Sequence, residues 1–160
     1  MIIKRATVIR TRKPNKNAAI EFVGGVAVCS EDDLCIACVQ WFNRLFGDDR
    51  RFDLIHIPNE ARRGQWEARR IKDLGLRAGT PDYLVQLNGK PVGWLEFKFG
   101  KNTLSPEQKK FKDYVESGGF PFAVVRNFEE FKEALQVLGV YDPEKESELR
   151  ASQIFKRRTQ

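Results

Sequence analysis

The Asn88-Gly89 pair narrows what this chain can fold into more than any other feature. Asn-Gly between two β-rich runs suits a type I′ hairpin turn, because both central residues must take positive φ. Residues 83–87 precede the pair and residues 91–99 follow it, so the spacing predicts two antiparallel strands. Successive side chains of a strand point to opposite faces. Glu96 and Lys98 therefore share one face, and Phe97 points to the other. Counting back across the turn brings Asp82, at the start of the first strand, near Glu96. Two carboxylates and one ammonium thus converge at one end of a hairpin.

The remaining elements arrange themselves around that hairpin. Ser30 followed by Glu31, Asp32 and Asp33 starts a helix, with a capping side chain and acids in the first turn. Leu34, Cys38, Trp41, Phe42 and Leu45 continue it at helical spacing, and Gly47 ends it. Residues 51–57 alternate as a short strand, closed by Pro58. Residues 59–80 are polar, basic and glycine-containing, a loop with a helical piece over 65–74. Ser105 caps the next helix, with Pro106 in its first position and Gln108 three residues after the cap. Residues 121–126 form a strand, and residues 128–138 a helix with Phe128, Phe131, Leu135 and Leu138 on one face. The order α-β-β-β-α-β-α predicts an α/β domain, a small mixed β-sheet flanked by helices. Residues 1–29 stand before it as an extension in which residues 7–10 and 20–28 are candidate strands. Residues 30–140 form the domain, and residues 141–160 a charged tail.

The 160 residues suffice for one domain with a core. Twenty-eight Lys and Arg against 22 Asp and Glu leave a net charge of +6, which suits a polyanionic partner without requiring one. No segment nears the roughly 18 to 20 apolar residues of a membrane span, and no charged start leads into an apolar run and a cleavage site. The expected location is intracellular, in the cytoplasm, with no membrane partner. The three cysteines, Cys29, Cys35 and Cys38, are odd in number and clustered, a poor disulfide framework. A zinc site would need a fourth ligand, and His56 is the single histidine.

An acid set among Trp94, Leu95, Phe97 and Phe99 is costly unless a cation compensates it. Paired carboxylates either raise a pKa or recruit a metal, and hard oxygen donors suit Mg²⁺ that keeps waters for a phosphate to replace. Such an ion stabilises charge developing on a phosphodiester in the transition state. Lys98 adds positive charge and a group able to position water. Glu-X-Lys alone is equally a structural ion pair; Pro81-Asp82 at the right distance favours the site.

Gly79-Thr80-Pro81-Asp82, Glu96-Phe97-Lys98 and Leu104-Ser105-Pro106-Glu107-Gln108, in that order, resemble the virus-type replication-repair nuclease (VRR-NUC) branch of the PD-(D/E)XK nucleases. The segment His56-Ile57-Pro58-Asn59-Glu60 is similar to small stand-alone members from phages and bacteria. The resemblance covers residues 30–138 and implies a restriction-endonuclease-like core. It implies Asp82 and Glu96 as metal ligands with the Phe97 carbonyl, Lys98 as the catalytic lysine, and Glu31 as the early acid that helps hold metal or its water. Asp32 and Asp33 are near enough to compete with Glu31 for that role. Gln108 matches a glutamine that faces the site, and Asn59 an asparagine that contacts substrate. The family often carries a glutamine where Cys35 stands here. Mg²⁺ is the implied cofactor, with Mn²⁺ expected to substitute.

Each supporting residue has a plainer reading. Glu31 also suits the helix dipole, Gln108 completes a capping box, Asn59 shapes a turn after Pro58, and His56 packs on a strand. Arg62, Arg63, Arg69, Arg70 and Lys72, with Gln65 and Trp66 interleaved, either neutralise phosphates and stack a base or form a solvated helix face. Lys101, Lys109 and Lys110 would extend the basic groove. No base-reading helix stands out, so backbone shape is the expected target. The sequence therefore predicts a metal-dependent deoxyribonuclease acting on branched DNA, first a four-way junction cut by a homodimer. Flap or nick cutting, general endonuclease activity, and a non-catalytic DNA-binding relative are the alternatives. A small-molecule enzyme finds no phosphate loop or nucleophile elbow here.

Overall fold

The computed structural model describes residues 21–23, 25–47, 49–58, 69–70 and 73–151. It is a mixed α/β protein, with a four-stranded mixed sheet and flanking helices, and it divides into two compact units. One holds residues 1–49, 97–101 and 125–160; the other holds residues 50–96 and 102–124.

The first unit begins with a two-stranded hairpin, β1 (Glu21–Val23) and β2 (Val26–Val28), in the register Glu21↔Val28. The expected strand over 20–28 thus doubles back on itself. Gly25, at φ +87°, permits the tight reversal, and a Gly-Gly pair in the sequence is the signal for it. Residues 7–10 lie outside the described residues. Val28 is buried, and β2 packs on α1 (Glu31–Phe46).

Helix α1 forms where its periodicity predicts. The Ser30 side chain accepts from the Asp33 backbone N–H, and Leu34, Ala37, Cys38, Trp41, Phe42 and Leu45 are buried along one stripe. Gly47, at φ +58°, ends it. Trp41 is the hub of this core, its ring edge-on to Phe128 at 5.3 Å, Phe131 at 6.1 Å and Tyr141 at 5.3 Å between centroids. Phe97 adds a ring 6.0 Å from Phe131. Tyr141, the first residue of the sequence-defined tail, is thus a core residue. The chain continues into a 3-10 turn (Pro143–Lys145) and helical residues 146–151.

The sheet contains β3 (Phe52–His56), β4 (Tyr83–Leu87), β5 (Lys90–Phe97) and β6 (Phe122–Val125), in that spatial order. β3, β4 and β5 are antiparallel neighbours. β6 runs parallel to β5: the Trp94 N–H donates to the Pro121 carbonyl and the Lys98 N–H to the Val125 carbonyl, so both strands advance together. Helix α2 (Pro106–Ser117) supplies the crossover a parallel pair needs. In the second unit Phe111 of α2 stands edge-on to Trp94 at 5.3 Å. Helix α3 (Phe128–Val137), capped by the Asn127 side chain, belongs to the first unit. Residues 69, 70 and 73 are helical, as the sequence predicts for that stretch. No helix among the described residues is long and apolar enough to cross a membrane.

Candidate active site

The β4–β5 turn has Asn88 at φ +54° and Gly89 at φ +72°, both in the left-handed region that a type I′ turn needs. An unbroken ladder from Leu87↔Lys90 would set Asp82 opposite Leu95, and the two acids would face opposite sides of the sheet. The ladder is broken. It steps from Gln86↔Pro91 to Val85↔Gly93, so Val92 is an extra residue, a β-bulge. Beyond it the pairs are Leu84↔Trp94 and Tyr83↔Leu95, and the next step sets Asp82 opposite Glu96. Directly opposed residues of an antiparallel pair share a face. On the other strand, the Ile57 N–H donates to the Asp82 carbonyl at 2.7 Å, fixing the aspartate's backbone to the continuation of β3.

By alternation, Trp94 and Glu96 point to one face of β5, the face that α2 covers through Phe111. Glu96 is 1% exposed, and its Oε1 accepts from Gln108 Nε2. Gln108 also completes the capping box. Its backbone N–H donates to Ser105 Oγ at 3.1 Å, and its Oε1 accepts from the Ser105 N–H at 2.9 Å. One end of the amide thus completes the capping box while the other meets Glu96.

Gly79 bears on this arrangement in a way the sequence does not announce. At φ +83° it turns the chain into Thr80, whose hydroxyl donates to the Arg77 carbonyl at 2.7 Å. A Cβ on Gly79 would lie 2.4 Å from the backbone carbon and oxygen of Glu107 and 2.7 Å from the Gln108 nitrogen. The missing side chain lets the turn before Asp82 press against the first turn of α2. Pro81, between them, is fully buried.

In the first unit, Glu31 is the acid of α1 that meets Lys98. Its Oε1 lies 3.8 Å from Lys98 Nζ, and its Oε2 accepts from the Phe99 N–H at 3.2 Å. Lys98 is 7% exposed and its Nζ donates to the Phe97 carbonyl at 2.9 Å. Asp33 is occupied elsewhere, its Oδ2 accepting from the Cys29 N–H at 3.1 Å, while Asp32 faces solvent. Ser30 caps the helix by accepting from the Asp33 N–H, and Asp33 reaches back one residue further, to Cys29. Of the three first-turn acids, Glu31 is the one beside Lys98; Asp33 points back to the cap and Asp32 outward.

The donor set suits Mg²⁺. Asp82 and Glu96 supply two hard carboxylates of the kind that ion takes; in the first unit the Phe97 carbonyl accepts from Lys98 Nζ. No group of three or more His, Cys, Asp or Glu able to hold a metal occurs among the described residues; a Mg²⁺ site that retains several waters needs only one or two carboxylates. The three cysteines are thiols with Cys38 buried, and the exposed His56 stands 5.0 Å from the Tyr83 ring.

Of the basic residues expected to meet DNA, Arg69, Arg70 and Lys101 are exposed, as are Lys109 and Lys110. Asn59, Arg62, Arg63, Gln65, Trp66 and Lys72 lie outside the described residues. The sequence reading did not name Val92 or Gly79 as site-forming residues. Gly93 inside a strand pattern was the available signal for the bulge. The close approach at Gly79 depends on a helix more than 20 residues away and leaves no local signature. Compared with known proteins, the chain matches no family model, no curated protein and no solved structure.

Proposed function

We propose that this chain is a Mg²⁺-dependent deoxyribonuclease of the VRR-NUC type, with a PD-(D/E)XK core. The observation that carries the reading is the bulged register that sets Asp82 opposite Glu96, with Glu96 held by Gln108 and followed two residues later by the buried Lys98. A buried acid and, two residues on, a buried lysine in one strand are expensive to build for stability alone.

Asp82, Glu96 and the Phe97 carbonyl would hold the ion, which when bound supplies positive charge to the scissile phosphate and acidifies water. The chain's own residues do the rest. Gln108 fixes one Glu96 oxygen by a neutral N–H. The Lys98 ammonium orients the attacking water and balances charge on the phosphate as the new P–O bond forms and the bridging one breaks. Glu31 holds the Lys98 ammonium, its Oε1 3.8 Å from Nζ. The exposed Arg69, Arg70, Lys101, Lys109 and Lys110 would make phosphate contacts that carry no sequence information. A two-fold pair of subunits acting on a four-way junction is the first substrate geometry to try, with flaps, nicks and general duplex cutting behind it.

The test is cleavage of labelled four-way junction, flap, nicked, single-stranded and linear duplex DNA with Mg²⁺, Mn²⁺ or EDTA, comparing wild type with Lys98→Ala. Metal-dependent cutting abolished by the substitution supports the reading, and paired symmetric cuts in the junction identify a dimeric resolvase. DNA binding without cutting under any metal, identical in the variant, replaces the nuclease with a non-catalytic DNA-binding protein.

A further inference from the structure

Glu96 is held by an amide that has no freedom to turn round, and the residue that removes that freedom is Ser105. The Gln108 side chain has two chemically opposite ends, an acceptor and a donor. Two bonds select its orientation. The Ser105 N–H donates to Oε1 at 2.9 Å, so the oxygen must face the helix cap. The NH2 end is then the one that meets Glu96 Oε1. A reversed amide would press a donor against the Ser105 N–H and an acceptor against the carboxylate, losing both bonds. The Ser105 hydroxyl completes the lock by accepting from the Gln108 backbone N–H at 3.1 Å, which fixes where the first turn of α2 places that side chain.

We propose that Ser105 is a positioning residue for Glu96, acting through Gln108: the capping box is the mechanism that aims the carboxylate. An ordinary N-cap stabilises its helix and no more. Here the same two bonds end on a carboxylate that is 1% exposed, on a different element of the same unit. The cap therefore couples helix formation to the orientation of an acid on β5. Cap geometry prepares it: Ser105 sits at φ −64°, ψ 163°, extended, with Pro106 pre-set for the first helical position. As a claim about a metal ligand, this rests on the function proposed above; as a claim about the Glu96 side chain, it does not.

Two readouts separate these. The first is the side-chain NH2 signal of Gln108 in the metal-free protein, identified by its loss in Gln108→Glu. In wild type the two protons are expected to be distinct and slow to exchange. Ser105→Ala, which keeps the Ser105 backbone N–H but removes the hydroxyl acceptor that fixes the first turn of α2, should move their chemical shifts and exchange rates toward those of a solvated glutamine, and Ser105→Asp, which restores a capping acceptor, should keep the wild-type values. An unchanged signal in a folded Ser105→Ala protein overturns the proposal.

The second readout is Mn²⁺ affinity, measured by titration without DNA. Ser105→Ala is expected to weaken it roughly three- to tenfold, below the about 10- to 100-fold typical when an outer-shell partner is itself removed. In a Gln108→Ala background the same substitution should cost stability but change the affinity no further, since its route to Glu96 is gone. Additive effects on affinity would overturn the route through Gln108. A folded wild type that binds no Mn²⁺ overturns the metal reading instead, and the NMR comparison still decides the role of Ser105.

Discussion

Asp82 precedes Tyr83, which pairs with Leu95, so one further step of the β4–β5 register sets it opposite Glu96, and it does so because one residue, Val92, is inserted between them and the turn. Like charges directly opposed on a strand pair repel, and here one of them is buried. On the proposed function, a bound cation would offset that repulsion. Asp82→Asn and Glu96→Gln should therefore each lower metal-dependent cleavage by about 100-fold or more, on the scale of losing a transition-state stabilising group. Each should also raise the metal-free melting temperature, by roughly 2–4 °C for about 1 kcal/mol of relieved repulsion in a domain this long. The double variant should be little worse in activity than either single one, because both serve one function. A melting temperature that falls in both amide variants would mean the acids stabilise the fold, and the active-site reading of the pair would lose its main support.

The approach of Gly79 to α2 separates two costs of replacing a glycine. Gly89, at φ +72°, has nothing within 4 Å of a built Cβ, so Gly89→Ala should cost only the strain of positive φ, about 1 kcal/mol. Gly79→Ala adds a collision with the Glu107 backbone and should cost more, about 2–4 kcal/mol, since backbone must move. That movement would carry Gln108 away from Glu96. Urea unfolding of both variants checks the order; equal losses would show that the contact yields freely and does not position α2.

Local chemistry made most of this fold legible and long-range geometry hid the rest. Ser30, Ser105 and the Asn88-Gly89 pair each specify their own element within four residues, and all three act as their types predict. The bulge at Val92 escaped because pairing register depends on both strands together, and β-rich runs tolerate either register until one face is buried. Tyr141 escaped for a related reason. Charge increases beyond it, so composition marks a tail, yet its ring lies against Trp41 on a helix almost a hundred residues earlier. Among the site residues, the Glu-X-Lys spacing was readable, while the choice of Glu31 over its two neighbours needed the direction of each side chain about α1.

That direction predicts three different outcomes from three adjacent acids. Asp32 is exposed, and Asp32→Asn should leave both stability and cleavage unchanged within error. Asp33→Ala removes the acceptor for the Cys29 N–H and should cost about 1 kcal/mol with activity retained in the folded fraction. Glu31→Gln weakens the attraction on Lys98 while keeping an acceptor for Phe99, so cleavage should fall about tenfold or more with a small stability change. Thermal melts and single-turnover cleavage on the same preparations distinguish them. An Asp32 variant that loses activity while Glu31→Gln keeps it would reassign the early acid.

The stretch that composition alone sets apart as a tail is tied together by side-chain hydrogen bonds. The Tyr141 hydroxyl donates to Glu146 Oε2 at 2.5 Å, and Arg150 Nε donates to Glu146 Oε1 at 2.8 Å. Burial, the bond to Glu146 and that carboxylate's charge raise the Tyr141 pKa from 10.0 to about 12. A raised folded pKa means stability that is complete below the unfolded value and is lost as pH climbs through the folded one. Glu146 moves the other way. Burial opposes its ionisation, but the hydrogen bonds from Tyr141 and Arg150 and the Arg150 charge prevail and lower its pKa from 4.5. Its contribution is present above the usual glutamate range and is lost as pH falls through the lowered folded value. Tyr141→Phe keeps the ring against Trp41 and deletes only the hydroxyl, so it should cost about 1 kcal/mol near neutral pH. The wild-type advantage should be level across the neutral range, shrink in acid as Glu146 protonates, and shrink again between pH 10 and about 12 as Tyr141 ionises. Urea unfolding of both proteins across that span tests it. An advantage that persists unchanged above pH 11 would place the hydroxyl outside the fold's hydrogen bonding and leave Tyr141 as a packing residue alone.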